Sequence, residues 1–215
     1  MADKGAPASH GTKDRILDVA ERLFGERGYA ATSLRAVTDA AGANVAAVNY
    51  HFGSKEGLLR AVVDRAMRPV NEERQRLLDG FLAGDGEPEV ADLVGAFVRT
   101  GANLALRRDG DAAAVVRFLG RVMCEPDPEI RRLFADEVGP VEGRYLKELT
   151  RALPLLAPQE VAFRYSVMVG LLALHQAGTL ADLAPHGMTD EGGSPRSQHR
   201  TEQLVGAVLA VFQAP

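Results

Sequence analysis

The stretch AGANVAAVNYHFGSKEGLL, residues 41–59, decides the fold. Gly42-Ala43 makes a tight turn, and Asn44 is a helix-capping residue type, so a short helix is predicted over 45–50. Ser54 caps a further helix in the same way, with Leu58, Leu59, Val62, Val63 and Met67 recurring behind it until Pro69 kinks or ends it. Upstream, Leu34, Val37 and Ala41 form one face of a short helix that follows a Thr32 cap and stops at Gly42. Before that, Ile16, Leu17, Ala20, Leu23 and Phe24 make a single apolar stripe between a Thr12 cap and Gly28. Two short helices joined by a glycine turn and braced by a longer one can lay the second of the pair in the DNA major groove. Leu34, Val37, Ala41, Val48 and Phe52 suit the inside of such a unit. Asn44, Val45, Ala46, Ala47 and Asn49 are left outside, none large enough to obstruct a groove.

Downstream the helices lengthen. Apolar spacing and turn residues place them at 70–82, 89–106, 112–123, 128–153 (with a break at Gly139-Pro140), 158–177 and 199–212. Residues 185–198 are polar and rich in glycine and proline, which reads as a mobile loop. The expected architecture is all-α. A polar tail over 1–10 precedes a helix-turn-helix unit over 11–56, continuous with a larger helical regulatory and dimerisation domain over 57–215.

Of 215 residues, 46% are hydrophobic and 25% charged, ordinary for a globular chain with a real core. No apolar run is long enough to span a bilayer, and the first residues lack the hydrophobic stretch of a signal peptide, so a cytoplasmic setting is expected. The lone Cys124 excludes an internal disulfide; it reads equally as an inert buried thiol or a sensor. Net charge is −4, unevenly spread: residues 1–68 carry +2 and the remainder −6, which lets one end approach phosphate. Catalytic patterns are missing. There is no glycine-rich phosphate loop, nucleophile elbow or metal-ligand spacing, and the carboxylates of Asp136 and Glu137, adjacent on a helix, point to different faces. No cofactor is expected. His175 has no His, Asp or Glu three or four residues away to share a metal.

Several residues of the first unit carry candidate roles from their own chemistry. Lys55 opens a helix where its charge adds to exposed backbone N–H groups, a natural phosphate clamp. Thr32 or Ser33 can bond phosphate while capping; plain capping is the alternative. Asn49 can pair with adenine, and Val45 or Ala46 can touch a thymine methyl.

Residues 41–59 also resemble the signature of the tetracycline-repressor family, in which an aromatic-His-Phe triplet precedes Ser-Lys-Glu and two leucines. Thr32, Gly42, Tyr50, His51, Phe52, Lys55 and Leu58-Leu59 fall at matching places, as does Ala20-x-x-Leu23-Phe24. The likeness covers about 50 residues and departs at Ala43, usually valine, and at Asn49, commonly tyrosine. The resemblance implies that Tyr50 and His51 bond the DNA backbone, that Lys55 contacts phosphate, and that Arg35 reaches bases or phosphate; a capping histidine, a solvated surface lysine and an unpaired surface arginine are the alternatives for His51, Lys55 and Arg35.

It further implies a dimeric, ligand-responsive repressor on a palindromic operator, released by a small-molecule inducer. An activator of the same fold, or a helical interaction module without DNA binding, are the alternatives. Phe163, Val167, Gly170, Leu171 and Leu174 form one face, and Leu204, Val208 and Val211 another; small residues there (Gly170, Ala173, Gly206, Ala207) permit close packing. Both faces resemble the family's dimer interface, the other reading being an intramolecular core. For the inducer, the resemblance implies a pocket between the middle helices. Phe97, Phe118, Met123, Phe134, Tyr165 and Met168, with Asn103, Arg117 and His175 as polar members, are the candidates; ordinary packing is the alternative for each.

Overall fold

An apolar residue every third or fourth position gives each segment one face to bury, and the result is helix throughout. The structure is a computed structural model and describes residues 11–84, 86–106, 112–123, 125–176, 179–182 and 194–213, among which there is no strand. The helices are α1 (Thr12–Arg27), α2 (Leu34–Ala41), α3 (Val45–Phe52), α4 (Lys55–Leu82), α5 (Val90–Ala102, followed by a 3₁₀ turn Asn103–Leu106), α6 (Ala112–Met123), α7 (Pro128–Ala152), α8 (Pro158–Gln176), a short α9 (Thr179–Asp182) and α10 (Ser194–Gln213).

The capping residues act largely as expected. Asn44 Oδ1 accepts from Ala47 N at 2.8 Å, and Ser54 Oγ accepts from Gly57 N at 3.0 Å. Gly42 ends α2 in the left-handed region at φ 60°, which a side chain would resist. Two caps differ. The N-cap of α1 is Gly11 and not Thr12, and that of α2 is Ser33, whose Oγ accepts from Ala36 N at 3.1 Å.

Neither proline ends its helix, which corrects the break expected at Gly139-Pro140 and the ending that is one of the two outcomes expected at Pro69. α4 runs unbroken through Pro69, so the segments read separately up to 69 and over 70–82 are one helix, and α7 likewise continues through Gly139-Pro140. A proline forfeits one helical hydrogen bond and crowds the previous turn. Here the flanking apolar faces offset that loss: Val62, Val63, Ala66, Met67 and Val70 of α4, and Val138 and Val141 of α7, are all buried. The α10 helix begins at Ser194, ahead of the expected 199, so 194–198 is helix and not loop. The tail over 1–10, the rest of the expected loop (185–193), Ala177 and Cys124 lie outside the described residues.

Two apolar cores result. The first gathers α1 to α4 with Val115, Phe118, Leu119 and Val122 of α6 and the start of α7. The second gathers the far end of α4 with α5, the rest of α7, α8 and α10. The expected division between 56 and 57 falls in the first turn of α4, and that helix contributes side chains to both cores. At the seam, Phe24 of α1 stacks on Phe118 of α6 at 6.4 Å between centroids. Gly25 lets the backbones close in, since a Cβ there would stand 3.2 Å from the Ala114 carbonyl oxygen.

Candidate functional site

The turn at Gly42 and the caps at Asn44 and Ser54 hold α3 against α2 by Val48, which is fully buried. Phe52 packs partly against the same core as expected, Ala47 does so too instead of standing outside, and the remainder of α3 faces out. Asn44, Val45, Ala46, Asn49, Tyr50 and His51 are exposed, Tyr50 by 85%, and Ser33 and Arg35 are exposed beside them on α2. The side-chain oxygens of Ser33 and Asn44 accept the capping bonds, which leaves the Ser33 hydroxyl proton and the Asn44 amide as donors toward an approaching phosphate. Tyr50 stands edge-on to His51 at 5.0 Å. An aromatic this exposed adds nothing to the core and is free to meet a partner.

Thr32 is a correction. It is fully buried, and its hydroxyl donates to the carbonyls of Gly28 at 2.8 Å and Leu23 at 3.2 Å, so it neither caps α2 nor reaches phosphate. Its hydroxyl ties the turn after α1 to that helix instead. Lys55 is half-buried and partly committed. Its Nζ donates to the Tyr29 carbonyl at 2.7 Å and sits 4.0 Å from the centroid of the Tyr29 ring, and burial lowers its pKa. Two ammonium protons remain for other acceptors. The Tyr29 hydroxyl in turn donates to Glu56 at 2.8 Å; burial and that contact push its pKa up, and hydrogen bonds hold the Glu56 carboxyl below its usual range. Nothing in the spacing singled out Tyr29, which reaches both residues from 26 and 27 positions away.

The nine pocket candidates do not converge. Phe118, Met123 and Phe134 pack into the first core, Phe118 against α1, because α6 turns its apolar face to the unit formed by α1 to α4. Arg117 is exposed, and Asn103 and His175 are half-buried, burial and Arg200 lowering the His175 pKa. Phe97, Tyr165 and Met168 do meet, in the second core. There they surround a group that sequence reading passed over, Arg74. It is fully buried on α4, with Nε donating to Thr100 Oγ1 at 3.2 Å and Nη2 to the Phe97 carbonyl at 3.1 Å, and its guanidinium lies 3.5 Å from the centroid of the Phe97 ring. Tyr145 donates to the Arg74 carbonyl at 2.9 Å, and burial pushes its phenol up to about 12. The signal was present: Val70, Arg74 and Leu78 share one helical row, so a cation stood on an apolar face. Elsewhere, a groove of about 180 Å³ lies between Leu82, Gly86, Glu87, Pro88, Glu148, Arg151 and Ala152, and includes none of the nine candidates.

On the expected dimer faces, Phe163 is 65% exposed, Gly170 is exposed, and Val167, Leu171 and Leu174 are half-buried. Leu204 and Val208 are corrected. Both are buried in this chain's own second core, because the apolar stripe of α10 packs on α5 and α8, while Val211 is half-buried. The outward side of α10 is instead Gln203, Gly206, Ala207 and Ala210.

Comparison with known proteins then decides the family. Residues 95–210 match the family described as "Tetracyclin repressor-like, C-terminal domain", and residues 16–62 match "Bacterial regulatory proteins, tetR family". The chain belongs to the tetracycline-repressor family. Among curated relatives, the transcriptional repressor ComR of Escherichia coli (strain K12) is 47% identical over 53 residues, 25% of each chain. The chain thus spans about a quarter of that relative's length. Two solved structures share the fold: a tetR-family regulator from Shewanella sp. PV-4 (TM-score 0.65, 14% identity, 94% of this chain and 96% of that one) and CifR (TM-score 0.59, 21% identity, 98% and 99%). The CifR chain was solved with 26-bp double-strand operator DNA. This membership places the chain among the bacterial regulatory proteins of that family. Among the described residues, no helix is long and apolar enough to cross a membrane.

Proposed function

We propose that the chain is a cytoplasmic, dimeric repressor that binds a palindromic operator through α3 and is released by a small-molecule inducer. The observation that carries this is the outward face of α3, where Asn49, Tyr50 and His51 stand exposed with Ser33, Arg35 and Asn44 around them. The operator-bound CifR structure, of the same fold, supports a DNA role for that face. One such unit covers too little DNA for tight, specific binding, so two copies about one helical turn apart are required. Phe163, Val167, Gly170, Leu171 and Leu174 of α8, with Gly206, Ala207 and Ala210 of α10, offer the self-complementary apolar face.

An inducer acts only by preferring the state that does not bind DNA. The route to that state runs through the links already described: α4 belongs to both cores, and Arg121 of α6 reaches the Glu26 and Arg27 carbonyls, each at 3.4 Å, at the end of α1. The next turn carries Tyr29, which grips Lys55 and Glu56.

Fluorescence anisotropy with the DNA upstream of its own gene, at low salt, tests the reading. Replacing Tyr50 and Lys55 together by alanine is expected to weaken selective binding about 10- to 100-fold, with helicity and dimer unchanged. Equal affinity in the double variant, or no selectivity in the parent, overturns it. For the dimer, Phe163→Asp is expected to give a folded monomer in analytical ultracentrifugation. An unchanged dimer would rule out α8 as the interface.

A further inference from the structure

Arg74 is a fully buried cation with no salt bridge among the described residues. A guanidinium has five N–H donors, and the bonds to Thr100 and Phe97 use two. Among the described residues no carboxylate pairs with it within 4.0 Å. The nearest acid acting on it is Glu142 of α7, which is half-buried, and burial raises that carboxyl although Arg74 pulls the other way. Beside them the buried Tyr165 hydroxyl lies against Glu142 without a hydrogen bond of good geometry, and Asn71 Oδ1, one turn before Arg74 on the same face of α4, also lacks one. Buried polar atoms without partners are uncommon in folded proteins and call for an explanation.

The sign of that molecule's charge follows from chemistry. Glu142 can neutralise itself by taking a proton, whereas an arginine stays cationic. The uncompensated charge is therefore positive, and the groups around it with protons to give are the guanidinium and the Tyr165 hydroxyl. A carboxylate accepts such bonds two at a time from a guanidinium. The surrounding walls are apolar: Phe97, Tyr145, Met168 and Leu172 are buried there. Next to the cluster, Gln176 of α8 closes the seam to α5 with a 3.0 Å bond to the Gly101 carbonyl, just before α5 loosens into its 3₁₀ turn.

We propose that Arg74 and Tyr165 receive the carboxylate of an acidic effector whose apolar body enters the second core between α4, α5, α7 and α8. This rests on the reading that the protein answers to an effector, and it names that effector's chemistry. The test uses the full-length chain and matched probes: sodium octanoate and sodium benzoate against octanamide and benzamide.

The acids are expected to raise Tm, and the amides at equal concentration are not. Arg74→Gln should weaken acid binding about tenfold or more, and Tyr165→Phe about threefold or more. Tyr165→Phe keeps the ring in place and decides the matter if Arg74→Gln does not fold. Acids that stabilise no better than amides, or that bind the Tyr165→Phe variant as well as the parent, overturn the proposal. The same samples are then assayed for DNA affinity. Acid binding that depends on Arg74 and Tyr165 yet leaves DNA affinity unchanged upholds the ligand assignment and removes the inducer reading.

Discussion

Replacing Gly57 by alanine is expected to disable the DNA-facing unit. In an ordinary helix this exchange is favourable by about 1 kcal/mol, because alanine is the better helix former. Here a Cβ would run into the carbonyl oxygen of Phe52, backbone that cannot swing aside like a side-chain tip. That carbonyl also accepts from Ser54 N at 2.9 Å, so the junction between α3 and α4 is built around the missing atom. Overpacking of this sort costs about 1–3 kcal/mol even after relaxation, and relaxing it here tilts α3 away from α4. A fall in Tm of roughly 2–12 °C and a loss of most selective DNA affinity are expected together. If thermal unfolding and anisotropy both leave the variant like its parent, the junction is looser than described.

Phe118→Ala is expected to be the most destabilising single change. The ring is fully buried and stacked on Phe24, in a seam where Gly25 has already drawn the two backbones together. With α1 and α6 held that close, the hole cannot easily collapse, so the loss falls in the range of about 3–5 kcal/mol for a buried phenylalanine. For a chain of this size that is roughly 6–20 °C in Tm and a large share of total stability. Phe118→Leu, which fills most of the space, should lose less than half as much. Equal unfolding temperatures for Phe118→Ala and the parent would show that the seam contributes little.

What the sequence revealed of this design was whatever is local. Caps at Asn44 and Ser54 and the turn at Gly42 act through neighbours within four positions, so their residue types state their roles directly. The outward residues of α3 followed from the inward ones by helical geometry alone. Readings failed where a distant partner decides. Thr32 is a capping type by composition, yet two carbonyls of the preceding helix claim its hydroxyl. Pro69 looks like a terminus until the apolar rows on both sides of it are seen buried. An apolar stripe on α10 does not say which protein it faces, and Leu204 and Val208 face their own. The pocket candidates scattered for the same reason: aromatic residues at helical spacing report burial, and burial here is divided between two cores.

The α1–α6 seam also bears on engineering. A common plan for building new regulators is to graft one recognition head onto another's sensing body, cutting between the two in sequence. A cut at residue 56 would leave Phe24 and Gly25 on the transplanted head facing a foreign helix with no ring to stack and no tailored backbone to nestle against. Working chimaeras of this protein should carry α6 along with the head, even though some sixty residues of chain separate them.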